Sequence, residues 1–405
     1  MSVDLRTRTD GPRPGTDPDA FFGEQLPAAF ETSAAGIAAG ADWLELPPLT
    51  VEVDGSAWTL TWTGDRVEVA PGNDGAARIR LTLEQLANLV SDQATIMGFW
   101  SSGRLDQPAG RLGDALDWWL VLRAALDERP LHTPGAVTFE DRDGDPLDLH
   151  RTFHVDDDRD EMRHFLEQAG FLHLEGLFTE DEMAQVSAEM DGAAPDYAPD
   201  DGRSWWARTA DGEQHLVRMQ AFDTRSPATA QLVDDPRFRS LAEIPRDGHV
   251  WGARSDNRIE ALFKPIGIVE GISDVPWHKD CSLGRHSYEC CSLTVGISVT
   301  GADDVSGQLR VRPGSHRALV WPALEQPRCD LPVVDLPTRT GDVTMHLSCT
   351  LHMAQPPVER ERRVMYSGFS LPPLDPEAAA EGRRRLREVR EAAPVTVSQP
   401  PGHTG

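Results

Sequence analysis

Lysine is almost missing from this chain: only Lys264 and Lys279 interrupt an otherwise all-arginine set of 39 basic residues. Positive charge is scarce overall, since 66 acidic residues leave a formal net charge of -27 and a pI near 4.8. Such a surface repels phosphate backbones and anionic headgroups, which argues against nucleic acid and membrane surfaces as partners. The five cysteines (Cys281, Cys290, Cys291, Cys329, Cys349) are odd in number and contain no C-x-x-C pair. That excludes a disulfide frame or zinc knuckle and predicts reduced thiols in a cytoplasmic protein. No apolar run reaches spanning length, and Met1-Ser-Val-Asp-Leu-Arg lacks the apolar centre of a secretory signal. No internal repeat is present.

What is there suggests two domains, since 405 residues exceed one ordinary core. Residues 1–19 are polar and rich in Pro, Gly and Asp, and are expected to be disordered. Alanine-rich apolar spacing predicts helix from Phe21 to Leu44. Strands are predicted at Leu49–Val53, Ala57–Thr63, Arg66–Ala70 and Ala77–Leu83, punctuated by Asp54-Gly55 and Gly64-Asp65. Thr82 is the expected N-cap of a helix over Leu83–Val90, with Leu83, Leu86, Leu89 and Val90 on one face. A further amphipathic helix, Leu112–Leu126, stops before Pro130.

This block, residues 20–130, resembles the sterol-carrier-type lipid-binding fold. The resemblance rests on Ile79-Arg-Leu-Thr-Leu-Glu-Gln-Leu-Ala-Asn-Leu-Val and Ile96-Met-Gly-Phe-Trp-Ser-Ser-Gly-Arg-Leu. It implies a lipid held by Trp58, Trp62, Phe99, Trp100, Trp118 and Trp119; the alternative is that these aromatics simply fill a core.

Residues 131–160, with Pro134-Gly135 and the acidic run Asp156-Asp157-Asp158, are expected to be a linker. The second domain, residues 161–374, opens with a helix over Glu161–Ala169 and the strand Gly170-Phe-Leu-His-Leu. Thr179-Glu-Asp-Glu is a capping box that starts the next helix. Short apolar segments then alternate with Gly/Pro/Asp turns to about residue 372, as in a barrel or sandwich. The charged tail, residues 375–405, is expected to be partly disordered, with an exposed helix over Glu377–Ala392.

The chemistry lies in His278-Lys279-Asp280, His352 and Arg362-Arg363. Two imidazoles and a carboxylate can occupy one face of a divalent iron and leave three positions open. A guanidinium can then hold the far carboxylate of a keto acid. A bare H-x-D means little, and a second one, His154-Val-Asp156, sits in the acidic linker and reads as solvated surface. In an extended chain His278 and Asp280 share a face and Lys279 points away. By strand parity His346 and His352 are equivalent, and Arg362 and Arg363 face opposite ways.

Residues 161–372 resemble the phytanoyl-CoA dioxygenase family of iron(II)- and 2-oxoglutarate-dependent oxygenases. The matching pieces are Gly170-Phe-Leu-His-Leu, Pro276-Trp-His-Lys-Asp, Gly307 through Pro313-Gly-Ser-His316, Gly341-Asp342, His352, and Arg362 followed by an apolar strand. The resemblance implies an α+β protein whose C-terminal part is a double-stranded β-helix, a jelly roll with flanking helices, behind a small α+β domain. By position it implies His278, Asp280 and His352 as iron(II) ligands and Arg362 as the 2-oxoglutarate anchor, preferring His352 over His346 and Arg362 over Arg363. Lys264 falls where relatives place a co-substrate contact, and could also receive a substrate carboxylate. Ala354 stands where a small hydroxyl residue is frequent, and no bulky residue stands near Gly296.

The implied reaction spends O2 and 2-oxoglutarate, releases succinate and CO2, and hydroxylates, desaturates or cyclises a small organic substrate, possibly in secondary metabolism. A halogenase is disfavoured because Asp280 keeps the carboxylate that halogenating relatives lack. Candidate substrate contacts are Trp205, Trp206, Arg218, Trp277 and Tyr288; Arg285 and His286 accompany the last in an expected mouth loop. The alternative is a lipid-binding or substrate-presenting protein with a non-catalytic barrel. The front domain could also build a homo-oligomer or cover the barrel mouth.

Overall fold

The computed structural model describes residues 15–199, 201–246, 248–253, 258–271, 276–281, 292–324, 326, 328–377, 380 and 384. A first helical stretch begins at Pro18, inside the segment expected to be disordered, because Asp17 accepts the Ala20 N–H and Pro18 supplies a helix-ready φ. Helices at Leu26–Thr32, Ala34–Ala41 and Leu112–Leu126 then cover a five-stranded sheet. Its strands run in the order Val67–Pro71, Ser56–Trp62, Leu49–Val53, Ala77–Leu81, Asp106–Ala109. Leu49–Val53 and Ala77–Leu81 pair in parallel and the other neighbours are antiparallel. The edge strand Asp106–Ala109 carries no period-2 apolar pattern and was not expected.

Thr82 and Gln85 form a reciprocal capping box on the Leu83–Val90 helix, whose buried side chains are Gln85, Leu86, Asn88 and Leu89. Leu83, the first residue of the helix and expected on the inner face, is instead exposed. Trp58, Phe99, Trp118 and Trp119 are buried in this domain's core, with Phe22 stacked on Trp58 at 4.7 Å. Trp62 only flanks that core, and Trp100 is exposed.

The stretch 131–160 is less free than a linker. Leu131 is buried in the first core and Phe153 in the second, where its N–H donates to the His173 carbonyl at 2.9 Å. His154 and Asp156 are exposed. The Arg159–Ala169 helix ends at Gly170 with φ +84°, and the strand Phe171–Leu174 follows. The Glu180–Ala193 helix has the expected Thr179–Glu182 box.

Two sheets make up the second domain. The larger contains, among others, the strands Ser204–Thr209, Gln214–Met219, Glu260–Lys264, Arg362–Ser370, Ser292–Ser298 and Val343–Leu347. The smaller pairs Val334–Leu336, Leu309–Arg312 and Leu351–Ala354. Side chains from both sheets share one core, including Val295, Ile297, Val311, Val334 and Met365. This two-sheet architecture is the expected jelly roll. At one corner Gly341 has φ +89°, and a Cβ there would lie 2.0 Å from the Phe178 carbonyl oxygen, so only glycine fits. The next residue, Asp342, accepts from His173 Nε2 and from the Gly176 and Arg339 N–H groups, locking the turn. Of the tail helix expected at 377–392, nearly all lies outside the described residues.

His316 stabilises the junction between helix and jelly roll. Its Nε2–H donates to the Glu167 carbonyl at 2.9 Å, while Nδ1 is buried without a partner. Burial pushes the imidazole pKa down to about 3. The unfolded chain therefore takes the proton first, so this contribution is complete above pH 6.5 and is lost as the pH falls toward 3. Urea unfolding at pH 7 and pH 5 checks this: the parent should lose about 2 kcal/mol more than His316→Gln between those conditions.

Candidate metal centre

Two backbone bridges bring the ligating types together. His278 N–H donates to the His352 carbonyl and His352 N–H to the His278 carbonyl, both at 3.0 Å. This exchange makes a directly opposed antiparallel pair, which places both side chains on the same face. His278 Nε2 lies 3.2 Å and His352 Nε2 3.7 Å from Asp280 Oδ1. The three donor atoms all fall within 4.8 Å of one another. Adjacent donors around an ion bound at about 2.1 Å are spaced by about 3 Å, so the set fits a single divalent ion.

The outer contacts leave the right nitrogens available. His278 Nδ1–H donates to the Pro276 carbonyl at 2.7 Å, and His352 Nδ1–H to the Thr350 carbonyl at 2.9 Å. A carbonyl can only accept, so each Nε2 keeps its lone pair for a metal. Burial, then the neighbouring His346 and His278, holds the His352 pKa well below its ordinary value, so the ring is neutral. Burial alone would raise the Asp280 carboxyl, but the imidazoles of His352, His278 and His346 outweigh it and hold its pKa well below 3.8. Neutral imidazoles and an ionised carboxylate are the forms that coordinate.

Asp280 Oδ2 faces away from the imidazole pair and accepts from Thr294 Oγ1 at 2.8 Å. His346 also reaches the site: its Nε2 lies 3.6 Å from Asp280 Oδ2, and its ring is 4.1 Å from that of His352. The parity argument thus identified two inward-facing histidines. The second sits on the carboxylate's outer side, and Thr294 was missed because a strand threonine carries no signal in sequence.

A cavity of about 520 Å3 opens over the three donors. Arg218, Lys264, His346, Thr294 and Tyr366 are among its walls. Lys264 is buried and lies directly across from Arg362 in the sheet register. Arg362 shares a strand face with Tyr366, Gly368 and Ser370, which line the cavity, and is 4 % exposed. Arg363 faces the other way and binds Asp191 and Ser187.

The other candidates divide. Arg218 reaches the cavity, pairs with Glu260 at 2.9 Å and lies over the Trp205 ring at 3.9 Å. Trp206 packs against the jelly-roll core. Trp277 turns from the cavity into a cluster with Ala318, Val320, Leu331 and Leu351, because its neighbour His278 takes the metal face and side chains alternate. Lys279 is fully buried on that same far side, where its Nζ donates to the Ser315 carbonyl at 2.8 Å. Cys281, Cys329 and Cys349 take part in no disulfide among the described residues. Tyr288, Arg285, His286, Cys290 and Cys291 lie outside the described residues.

A jelly roll with two imidazoles and a carboxylate at one cavity defines a class of mononuclear metal proteins. Residues 166–364, which contain all three donors and Arg362, match the model of the family described as Phytanoyl-CoA dioxygenase (PhyH). Ectoine dioxygenase of Bordetella parapertussis is 28% identical over 162 residues, 40% of this chain and 51% of the relative. That of Streptomyces anulatus is 26% identical over 170 residues, 40% of this chain and 52% of the relative. The chain thus spans about half the length of these curated relatives. Among solved structures, EctD from S. alaskensis with 2-oxoglutarate and 5-hydroxyectoine gives a TM-score of 0.43 at 17% identity, covering 60% of this chain and 86% of that one. AviO1 from Streptomyces viridochromogenes gives 0.42 at 20% identity, covering 54% of this chain and 97% of that one. No helix among the described residues is long and apolar enough to cross a membrane.

Thr294→Val removes the donor to Asp280 Oδ2 with little change of volume. Isothermal titration with Co(II) should show divalent-metal affinity weakened about 10- to 100-fold, the usual cost of losing an outer contact to a ligand.

Proposed function

We propose that this protein is an iron(II)- and 2-oxoglutarate-dependent oxygenase that oxidises an unactivated C–H bond of a small polar organic molecule. The observation that carries the reading is Arg362, which stands directly across the sheet from Lys264, a wall residue of the cavity over the donors. Its Nε and Nη2 are buried without a hydrogen-bond partner, and no carboxylate of a described residue pairs with it. A buried unpaired guanidinium is strongly unfavourable, and a dicarboxylate whose near end reaches the metal would satisfy it with its far end. Lys264, directly across the strand pair, adds a second cation to that pole.

Iron(II) held by His278, Asp280 and His352 would retain positions for the keto acid and O2, and supplies the oxidative decarboxylation to succinate and CO2 that drives substrate oxidation. The chain's own part is to fix this pole and shape the remaining cavity. Asp280 occupies the place a halide would need, which disfavours halogenation. Among the described lining residues, large apolar side chains are limited to Leu262 and Leu309, while Ser292, Thr294, Ser367 and Ser370 present hydroxyls. Such a wall suits a hydrophilic substrate rather than an acyl chain. Arg218, stacked on Trp205 and paired with Glu260, supplies a charged edge. The curated relatives, dioxygenases by name, support the reaction class.

Anaerobic addition of Fe(II) and 2-oxoglutarate should produce a visible charge-transfer band that His278→Ala abolishes. Arg362→Gln should weaken 2-oxoglutarate binding by about 2–3 kcal/mol, roughly 30- to 150-fold, whereas Arg363→Gln should change it little. A folded parent protein that gives no band, or equal effects at the two arginines, would sink this reading.

A further inference from the structure

The segment that carries the metal donors has a second neighbour besides His352. His278 also bridges to Ala323, the Lys279 N–H donates to the Pro322 carbonyl at 2.6 Å, and the Leu324 N–H donates to the Trp277 carbonyl at 2.7 Å. Residues 277–279 are thus the middle of three extended segments, flanked by Leu351–Ala354 and by 322–324.

The described residues of 313–331 contain no regular helix and no strand of either sheet. Its first residues are held by the jelly roll, and the part beside His278 is held in addition by the N-terminal domain. Leu319 and Ala323 are buried in the same core as Leu116 and Leu120 of the front domain. Trp321 Nε1–H donates to Asp117 Oδ1 at 2.7 Å, and Asp117 Oδ2 accepts the Glu45 N–H at 3.2 Å. The Trp321 ring lies against Gly113, where a Cβ would come within 3.1 Å of it. Arg129 donates to the Arg317 carbonyl at 3.0 Å, and His132 meets Asp330 at 2.6 Å.

We infer that the N-terminal domain is a positioning element of the metal centre: by holding residues 317–324 it fixes the outer strand partner of the His278–Asp280 triplet. The chain of contacts is short. The Leu112–Leu126 helix fixes Trp321, the Trp321 segment fixes Ala323, and Ala323 fixes His278 against His352. Trp321 and Gly113 act through the strand and touch neither metal nor substrate. The inference rests on the donor assignment proposed above, but the strand coupling can be read without any metal.

Amide hydrogen exchange and Co(II) titration on the full chain test it, with circular dichroism to confirm folding. Trp321→Ala should speed exchange at His278, Lys279 and Leu324 and weaken Co(II) binding about tenfold, the scale of losing an outer support to a ligand. Gly113→Ala should shift both in the same direction by less, although alanine favours the helix it stands in. That variant decides the matter if Trp321→Ala does not fold. Trp58→Phe, which alters the front core at the Phe22 stack, should leave both readouts unchanged. Unaltered exchange and affinity in the folded seam variants would overturn the inference, as would an equal shift in Trp58→Phe. Faster exchange in the seam variants, in a parent that binds no Co(II), would uphold the coupling and remove the donor assignment instead.

Discussion

The centre depends on one reciprocal pair of peptide hydrogen bonds, between His278 and His352. Seventy-odd residues of chain separate the two imidazoles, and no local preference could bring them together. An antiparallel pair that exchanges both N–H···O bonds faces its two residues directly and sends their side chains the same way. Asp280, two residues on, then needs only to turn toward the same point. The carbonyls of Pro276 and Thr350 complete the arrangement by taking Nδ1–H from each ring. Backbone geometry thus sets both which nitrogens are free and where they point.

Around that pair the chain separates its charges by purpose. The Asp280 carboxylate is surrounded by imidazoles and one threonine hydroxyl, while Arg362 and Lys264 lie together on neighbouring strands of the large sheet. Nearby arginines are compensated: Arg218 by Glu260, Arg258 by Asp223, Arg363 by Asp191. Buried guanidinium groups without partners are costly, so their placement is informative. The front domain, whose aromatics suggested a lipid site, puts Trp58, Trp118 and Trp119 into a packed core and spends part of its surface on the connection around Trp321. Its most direct relation to the chemistry is mechanical.

Much of this was legible from residues alone where the signal is local. Thr82 with Gln85 and Thr179 with Glu182 announced helix starts, because capping is completed within four residues. Gly341-Asp342 stood out only as a piece of the family resemblance, and that its first residue tolerates no side chain is decided by the Phe178 carbonyl packed against it. Strand parity separated Arg362 from Arg363, since alternation holds within any single strand. It failed to separate His346 from His352, because both do face the site.

Sequence by itself determined the candidate donor types, the helix caps, the acidic surface and the alternation that sets Arg362 and Arg363 on opposite faces, all fixed by residue type or by spacing within one element. Tertiary structure alone decided that His352 sits opposite His278, that Thr294 holds the outer oxygen of Asp280, and that the front domain's core reaches the strand beside the metal site. Those contacts join stretches tens to hundreds of residues apart. Their geometry comes from sheet register and core packing, which are properties of the folded chain as a whole and leave no periodic trace along it.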